Sequence, residues 1–397
     1  MKKDRFPGRS DRRAFLKLLG VLASYPAASI SIARAERNDE QGRLLDDFLV
    51  GATSPNLVIS AFDDFSGQHF IGAYDESQSR WVARVAVSRR YHACTCRNTD
   101  DHNQLVFVAR RPGNQAILLN LATRRVVELA APEGRHFFGH AAIDRDGTVW
   151  FTENDYQNNR GLLVGRAGEE LEQQVASIDL EGIGPHELAF LSDGITAVVG
   201  LGGIETHPDF PRKKLNLDTM QSEILLVNTE RREVVHRDQP PNPQLSLRHL
   251  DRNERDQIVI AAQYQGPSYE QFPLVYSYHS ERGLQAMDAP EQVWRSMNQY
   301  IASVQIHTSN NEVLVTCPRS NAVHRFSLTT LVWLDTYKLA DPGGVCLDSQ
   351  GNYLVSCGTG KIVCLSSNNG RLTLERESRV GDTRWDNHMD RVVFAKA

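Results

Sequence analysis

An all-β propeller of about seven four-stranded blades is the fold the sequence predicts, and three observations predict it. Short runs rich in β-branched and aromatic residues, cut by Gly, Asp, Asn and Pro, follow one another from Asn56 onward, without long amphipathic helical patterns. These runs recur with a period of roughly 45 residues, a blade length. The first unit lacks one strand, and a matching strand stands at the far end of the chain.

The hairpins make the repeat visible. Gly139–Asp144 leads through the turn Arg145-Asp146-Gly147 into Thr148–Thr152, and Pro185–Phe190 leads through Ser192-Asp193-Gly194 into Ile195–Val199. Arg248-His249-Leu250 precedes a polar turn ending near Asp256 and the run Gln257–Ala261. Ala302–Ile306 passes Ser309-Asn310-Asn311 into Val313–Thr316, and Gly343–Asp348 passes Ser349-Gln350-Gly351 into Tyr353–Ser356. Each turn carries the residues that tight hairpins demand. Two more strands follow in most units, as in Ala116–Ala122 with Arg125–Ala130, Ile224–Asn228 with Glu233–Arg237, and Val323–Leu328 with Val332–Leu339. The first unit holds three strands, Leu57–Phe62, His69–Tyr74 and Trp81–Val87, and Trp385–Phe394 supplies the fourth. A last strand that completes the first blade ties the ring shut and removes free edges.

Residues 1–35 stand apart. Arg12 and Arg13, within Ser10-Asp11-Arg12-Arg13-Ala14-Phe15-Leu16-Lys17, precede a modest apolar run from Leu18 to Ile32 and the small-residue site Ala33-Arg34-Ala35. This is the pattern of a twin-arginine signal peptide cleaved before Glu36, so export to the periplasm is expected. Residues 36–55 form an N-terminal segment, and 56–397 a single propeller domain. The apolar run is interrupted by Ser24, Pro26 and Ser29, so no stable membrane span is expected after cleavage.

A net charge of −5 argues against nucleic acid as a partner. The six cysteines would meet an oxidising compartment. Cys94 and Cys96 are poorly placed to bond each other, whereas Cys357 and Cys364 flank a short turn and could be joined across strands. No Walker A loop, nucleophile elbow, H-E-x-x-H or C-x-x-C-H motif is present.

Five of the 13 histidines fall at one point of the repeat: His92, His140, His186, His249 and His388. Ser303 and Gly344 take that point in the other two units. The first strand of each blade lines the channel, so these side chains are expected to form a ring at one mouth. Two uses stay open. Neutral imidazole is the commonest side-chain metal ligand; equally, a polar residue here could hydrogen-bond the loop between blades. Loops between second and third strands return to the same face, carrying Arg110-Arg111-Pro112-Gly113, Glu153-Asn154-Asp155-Tyr156, Gln263–Gly266 and Pro318–Asn321. The longest insertion, Gly202–Met220, holds His207. Glu153, Asp155 and His207 are thus secondary candidate ligands.

The stretches Phe137-Phe138-Gly139-His140, Thr152–Asp155, Gly182–Glu187, Gly202–Asp209, Lys214–Met220 and Trp385-Asp386-Asn387-His388 resemble a bacterial domain-of-unknown-function family of twin-arginine-exported periplasmic β-propellers. Its genes tend to neighbour imelysin-type iron-uptake proteins and dihaem-peroxidase-like proteins. The resemblance implies a role near periplasmic iron or redox-metal handling, with iron-uptake proteins as partners; it carries over no catalytic residue. The function expected is therefore a non-enzymatic accessory protein of metal uptake, binding a transition metal (iron first), a metal chelate or a partner at the histidine face. On the ordinary imidazole pKa, affinity should fall below about pH 6.5. Two alternatives are a metal-dependent hydrolase or oxidoreductase with Glu187 or Glu153 as general base, and an interaction scaffold that binds through Gly202–Met220.

Overall fold

The computed structural model describes residues 56–98, 103–120, 125–210, 213–367 and 370–393. The signal-peptide candidates Arg12 and Arg13, and the whole segment up to residue 55, lie outside the described residues.

Seven antiparallel sheets, six of them meanders in chain order, make a seven-bladed propeller. Blades 2 to 7 open with the strands Tyr91–Asn98, Arg135–Ile143, Pro185–Phe190, Leu245–Arg252, Ser303–His307 and Pro342–Leu347. Blade 1 holds Asn56–Asp63, His69–Asp75 and Arg80–Val87, and its inner position is filled from the C-terminus. Arg384–Trp385 and Asp390–Val393 both pair antiparallel with Asn56–Asp63, with Phe62 opposite Trp385 and Val58 opposite Arg391. The expected closing strand is therefore present, but broken over residues 386–389.

First strands of neighbouring blades pack against one another, Tyr91–Asn98 on Arg135–Ile143 for example, so they surround the axis. Burial follows the order of strands within a blade. The second strands Val149–Asp155, Ile258–Tyr264 and Tyr353–Cys357 are buried throughout, whereas the fourth strand of blade 7, Thr373–Arg379, is almost wholly exposed. Apolar side chains fill the wedges between blades. Val198 and Ile224 of blade 4 meet Leu247 and Ile260 of blade 5, which in turn pack toward Val313 and Phe326 of blade 6. Each fully buried aliphatic side chain of this kind contributes about 1.5–3 kcal/mol. At the closure, the Trp385 ring stacks on Trp81 at 4.6 Å and meets Tyr74 edge-on at 5.7 Å, while Trp81 stacks on Phe62 at 4.1 Å.

Two local features differ from the sequence expectation. A short helix, Glu291–Ser296, links blades 5 and 6 and buries Val293 and Trp294; six residues are too few for a 3.6-residue period to show. None of the six cysteines is joined in a disulfide. The cross-strand bond between Cys357 and Cys364 does not form, because the register sets Cys357 opposite Lys361 and Cys364 opposite Leu354. Among the described residues no helix is long and apolar enough to cross a membrane.

Candidate metal centre

The five strand-start histidines meet inside the channel. Their ring centroids lie 4.5–6.1 Å apart in the pairs that face one another, His92–His388 and His140–His388 being among the nearest at 4.5 and 4.7 Å. All five are buried. His92, His140, His186 and His249 come from blades 2 to 5, and His388 from the break in the closing strand of blade 1.

What turns these side chains inward is a set of β-bulges. The pairing of first with second strand slips between Tyr91 and Cys94, between Phe137 and Ala141, between Pro185 and Leu188, and between Leu247 and His249. A bulge adds an unpaired residue, bends the strand and re-aims a side chain. Blade 6, whose first strand keeps an unbroken register, carries Ser303 instead. Blade 7 bulges between Pro342 and Val345 and carries Gly343 and Gly344, against which the 386–389 segment rests. A Cβ on Gly344 would stand 2.7 Å from the carbonyl carbon of His388. The glycine thereby lets that backbone approach the axis.

Two donor groups follow. Nitrogen and carboxylate atoms of His140, Glu187, His249 and His388 lie within 4.8 Å of one another, as do donor atoms of His92, His140 and His186. Glu187 faces three Nδ1 atoms, at 3.4 Å from His249, 3.7 Å from His140 and 3.9 Å from His388. Its Oε2 accepts a hydrogen bond from the Leu250 amide. Four buried ring nitrogens of this cluster have no hydrogen-bond partner: Nε2 of His140 and His388, and Nδ1 of His186 and His249.

His92 is set differently. Its Nδ1 lies 2.6 Å from the buried Asp386 carboxylate, which also accepts from Arg90 Nε at 2.9 Å, Arg110 Nη1 at 3.2 Å and the Asn387 amide at 2.7 Å. Burial alone would raise the Asp386 pKa, but Arg110, His92 and Arg90 together hold the carboxyl well below the usual range. An ionised Asp386 requires the proton on His92 Nδ1, which leaves Nε2 with its lone pair, the arrangement that fixes tautomer and orientation in metal-binding histidines.

Burial lowers the imidazole pKa values, to about 4 for His92 despite the opposing pull of Asp386, to about 3 for His249, and well below the ordinary value for His140, His186 and His388. The rings are neutral, with free lone pairs, well below the pH 6.5 that the residue type alone suggests.

The histidine layer separates two cavities. One, of about 210 Å³, is faced by His92, His186 and His249 and by five cationic side chains. The other, of about 390 Å³, is faced by His140, His388 and Glu187 and by Asp251, Asp390, Cys94 and Cys96. Burial pushes both Asp251 and Asp390 up to about 7.

The three secondary candidates belong to neither donor group. Glu153 is buried in the second strand of blade 3, 3.7 Å from Arg135, and burial pushes it up to about 7. Asp155 ends that strand and holds its turn, accepting from Asn158 and Arg160. His207 lies in the blade 4 insertion, stacked edge-on against Tyr156 at 5.0 Å, with Nδ1 accepting from the Asp209 amide. Strand alternation sends Glu153 into the blade, and local turn chemistry occupies the other two. Asp386 carried no sequence signal beyond its place beside His388, since its partners Arg90 and Arg110 are 296 and 276 residues away.

A family model described as a protein of unknown function (DUF1513) matches residues 85–392. No curated protein matches. Solved structures share the fold at low identity. Virginiamycin B lyase from Staphylococcus aureus is 11% identical, with a TM-score of 0.52, over 77% of this chain and 93% of that one. The periplasmic gluconolactonase PpgL of Pseudomonas aeruginosa is 12% identical, with a TM-score of 0.56, over 85% and 98%. Hydrazine synthase of Kuenenia stuttgartiensis is 13% identical, with a TM-score of 0.55, over 81% and 93%.

Proposed function

This chain belongs to DUF1513, a family of proteins of unknown function, and we propose that it binds a first-row transition-metal ion at the five-histidine centre and serves periplasmic metal handling, with iron as the cargo and twin-arginine export as its route. One observation carries the reading: four buried imidazole nitrogens of the cluster lack hydrogen-bond partners, and His140, His249 and His388 share a donor group with the Glu187 carboxylate. Buried polar atoms are nearly always satisfied, so orphaned lone pairs in a cluster that also holds a carboxylate call for a cation. Three imidazoles with a carboxylate are a mixed nitrogen and oxygen set, which suits Fe, Zn or Mn better than Ca or Mg.

The test is elemental analysis of protein purified from the periplasm without chelators, alongside His140→Ala/His388→Ala. About one equivalent of metal in the parent and none in the variant is expected. Equal metal content in both would remove the proposal. A second reading is favoured by the cavity of about 390 Å³ that opens onto His140, His388 and Glu187, room that a closed storage site would not need. In it His92, His140 and His186 would hold the metal, which would polarise a substrate as in a hydrolase or lyase, and Glu187, outside that donor group, would act as general base. Among similar propellers are a gluconolactonase and a virginiamycin B lyase. Turnover of lactones or cyclic esters that is lost in Glu187→Gln while metal stays bound would select this reading over simple binding.

A further inference from the structure

We infer that the cavity over the histidine layer is a receptor for a small multivalent oxyanion, one that carries two or more carboxylate or phosphate groups. The chain has 49 acidic and 44 basic residues, yet this cavity is faced by Arg110, Arg111, Arg248, Arg319 and Lys214 and by no Asp or Glu. The cations come from four places in the fold: the turn after the second strand of blade 2, the insertion of blade 4, the bulge of blade 5 and the short 3-10 turn Pro318–Ser320 of blade 6. Sequence neighbours account for only one pair, so the convergence is a property of the ring.

Their ordinary partners are missing. Asp386 beneath them engages Arg110, together with Arg90 and His92. Among the described residues no carboxylate pairs with Arg111, Arg248, Arg319 or Lys214. Arg248, 7% exposed, donates from Nε to Ser246 Oγ. Arg111 Nη1 is buried without a partner. Arg319 and Lys214 are exposed at the mouth, with Lys214 Nζ donating to Gln265 Oε1, but Arg248 is buried and Arg111 half-buried; for those two, uncompensated charge in a desolvated place is costly, and mutual repulsion adds to that cost. An anion removes both penalties.

The guanidinium planes are also held in place. Arg319 lies over the Tyr300 ring at 4.1 Å and Arg111 over Phe138 at 5.4 Å. Stacking fixes the plane and leaves the N–H fork free for bidentate contact with a carboxylate or phosphate. At about 30 Å³ per water, the 210 Å³ cavity has the scale of a small molecule and excludes a polymer. An anion seated here would also reach His92, His186 and His249. As a co-ligand of a metal it rests on the reading above; as an anion receptor it rests on the arginines alone.

The experiment is calorimetric titration of the full-length mature chain, stripped of metal over a chelating resin, with citrate, with pyrophosphate, and with acetate as the monovalent control. Citrate or pyrophosphate is expected to bind at least tenfold more tightly than acetate. Whichever of the two wins identifies a polycarboxylate or a phosphate as the source. Arg111→Gln/Arg319→Gln, checked for folding by its melting temperature, should weaken that binding by about tenfold or more per arginine. His140→Ala/His388→Ala, on the far side of the layer, should leave it unchanged. Failure of both multivalent anions to outbind acetate overturns the inference. So does unchanged affinity in the folded arginine variant, or loss of affinity in the histidine variant. Failure of the metal reading alone would show in the elemental analysis and leave these titrations as expected.

Discussion

Gly344→Ala tests whether backbone packing in blade 7 sets the position of His388. Gly344 is extended rather than left-handed, so alanine meets no backbone strain of its own. Its Cβ would instead stand 2.7 Å from the His388 carbonyl carbon and the Met389 nitrogen, and 2.9 Å from Met389 Cβ. The first two are main-chain atoms, which cannot rotate aside as a side-chain tip would. Ordinary contact begins near 3.4 Å, so the 386–389 segment must retreat by about 0.7 Å. Metal–ligand distances tolerate roughly ±0.2 Å. The displacement therefore takes His388 out of a donor group shared with His140, Glu187 and His249. Loss of such support typically costs about 10–100-fold in metal affinity, with an overpacking cost of about 1–3 kcal/mol in folding. Competition of Co²⁺ between the protein and a chromophoric chelator reads the first quantity, and denaturant unfolding the second. A folded Gly344→Ala protein that holds Co²⁺ within twofold of the parent would show that the glycine contact does not place a ligand.

Three further outcomes are expected. Asp386→Asn keeps the shape but removes the charge that neutralises Arg90 and Arg110; the cost should be about 3–5 kcal/mol, and an amide donor opposite His92 Nδ1 should move the ring proton to Nε2, visible in ¹⁵N chemical shifts, with an unchanged tautomer counting against the arrangement. Trp385→Ala removes the ring that stacks on Trp81 and meets Tyr74 edge-on at the closure and should cost about 3–5 kcal/mol, together with faster proteolysis near the C-terminus; a loss below about 1 kcal/mol would mean that the closing strand contributes little. His324, fully buried in blade 6 with Nδ1 2.8 Å from Thr336 Oγ1, has its pKa lowered by burial from 6.5 to about 4. The unfolded chain then binds the extra proton between those values, so this contribution is complete above pH 6.5 and is lost as pH falls toward 4, to a limit of about 3 kcal/mol. His324→Gln should flatten the urea-midpoint profile between pH 6.5 and 4.5, and an equal slope in both proteins would contradict the assignment.

The blades were legible because their signal is local. Arg125–Ala130 has the same bounds in sequence and structure, and the turns Asp144–Gly147 and Asp193–Gly194 sit where glycine and aspartate require them. The alignment of five histidines on one repeat position was legible for the same reason. The bulges were not. A register slip depends on the partner strand, and a first strand reads the same whether its histidine points at the axis or into the blade. Gly344 looked like a missing histidine and, with Gly343, is instead the hollow that receives the 386–389 backbone. Arg111 and Arg319 stood in loops assigned to the correct face, but their convergence with Arg248 and Lys214 depends on how four blades turn around one axis.

The structural alternative, in which each histidine merely holds a loop between blades, can be weighed against these contacts. Such a role needs a hydrogen bond from each ring to a neighbouring blade. His92 has one, to Asp386, but four other ring nitrogens are buried and bonded to nothing. Each atom of that kind costs about 1–3 kcal/mol, and four of them approach the net stability of a whole domain, about 5–15 kcal/mol. Blade 6 shows that the ring closes without the device, since Ser303 occupies the same point in a regular strand. A propeller gains nothing in folding from placing five neutral imidazoles face to face. What it gains is a way to bring donors from opposite ends of the chain into one shell, as His92 meets Asp386 across 294 residues. The cost of the unsatisfied nitrogens is the argument for a cation: one that binds the folded state alone would return to the protein the stability that they remove.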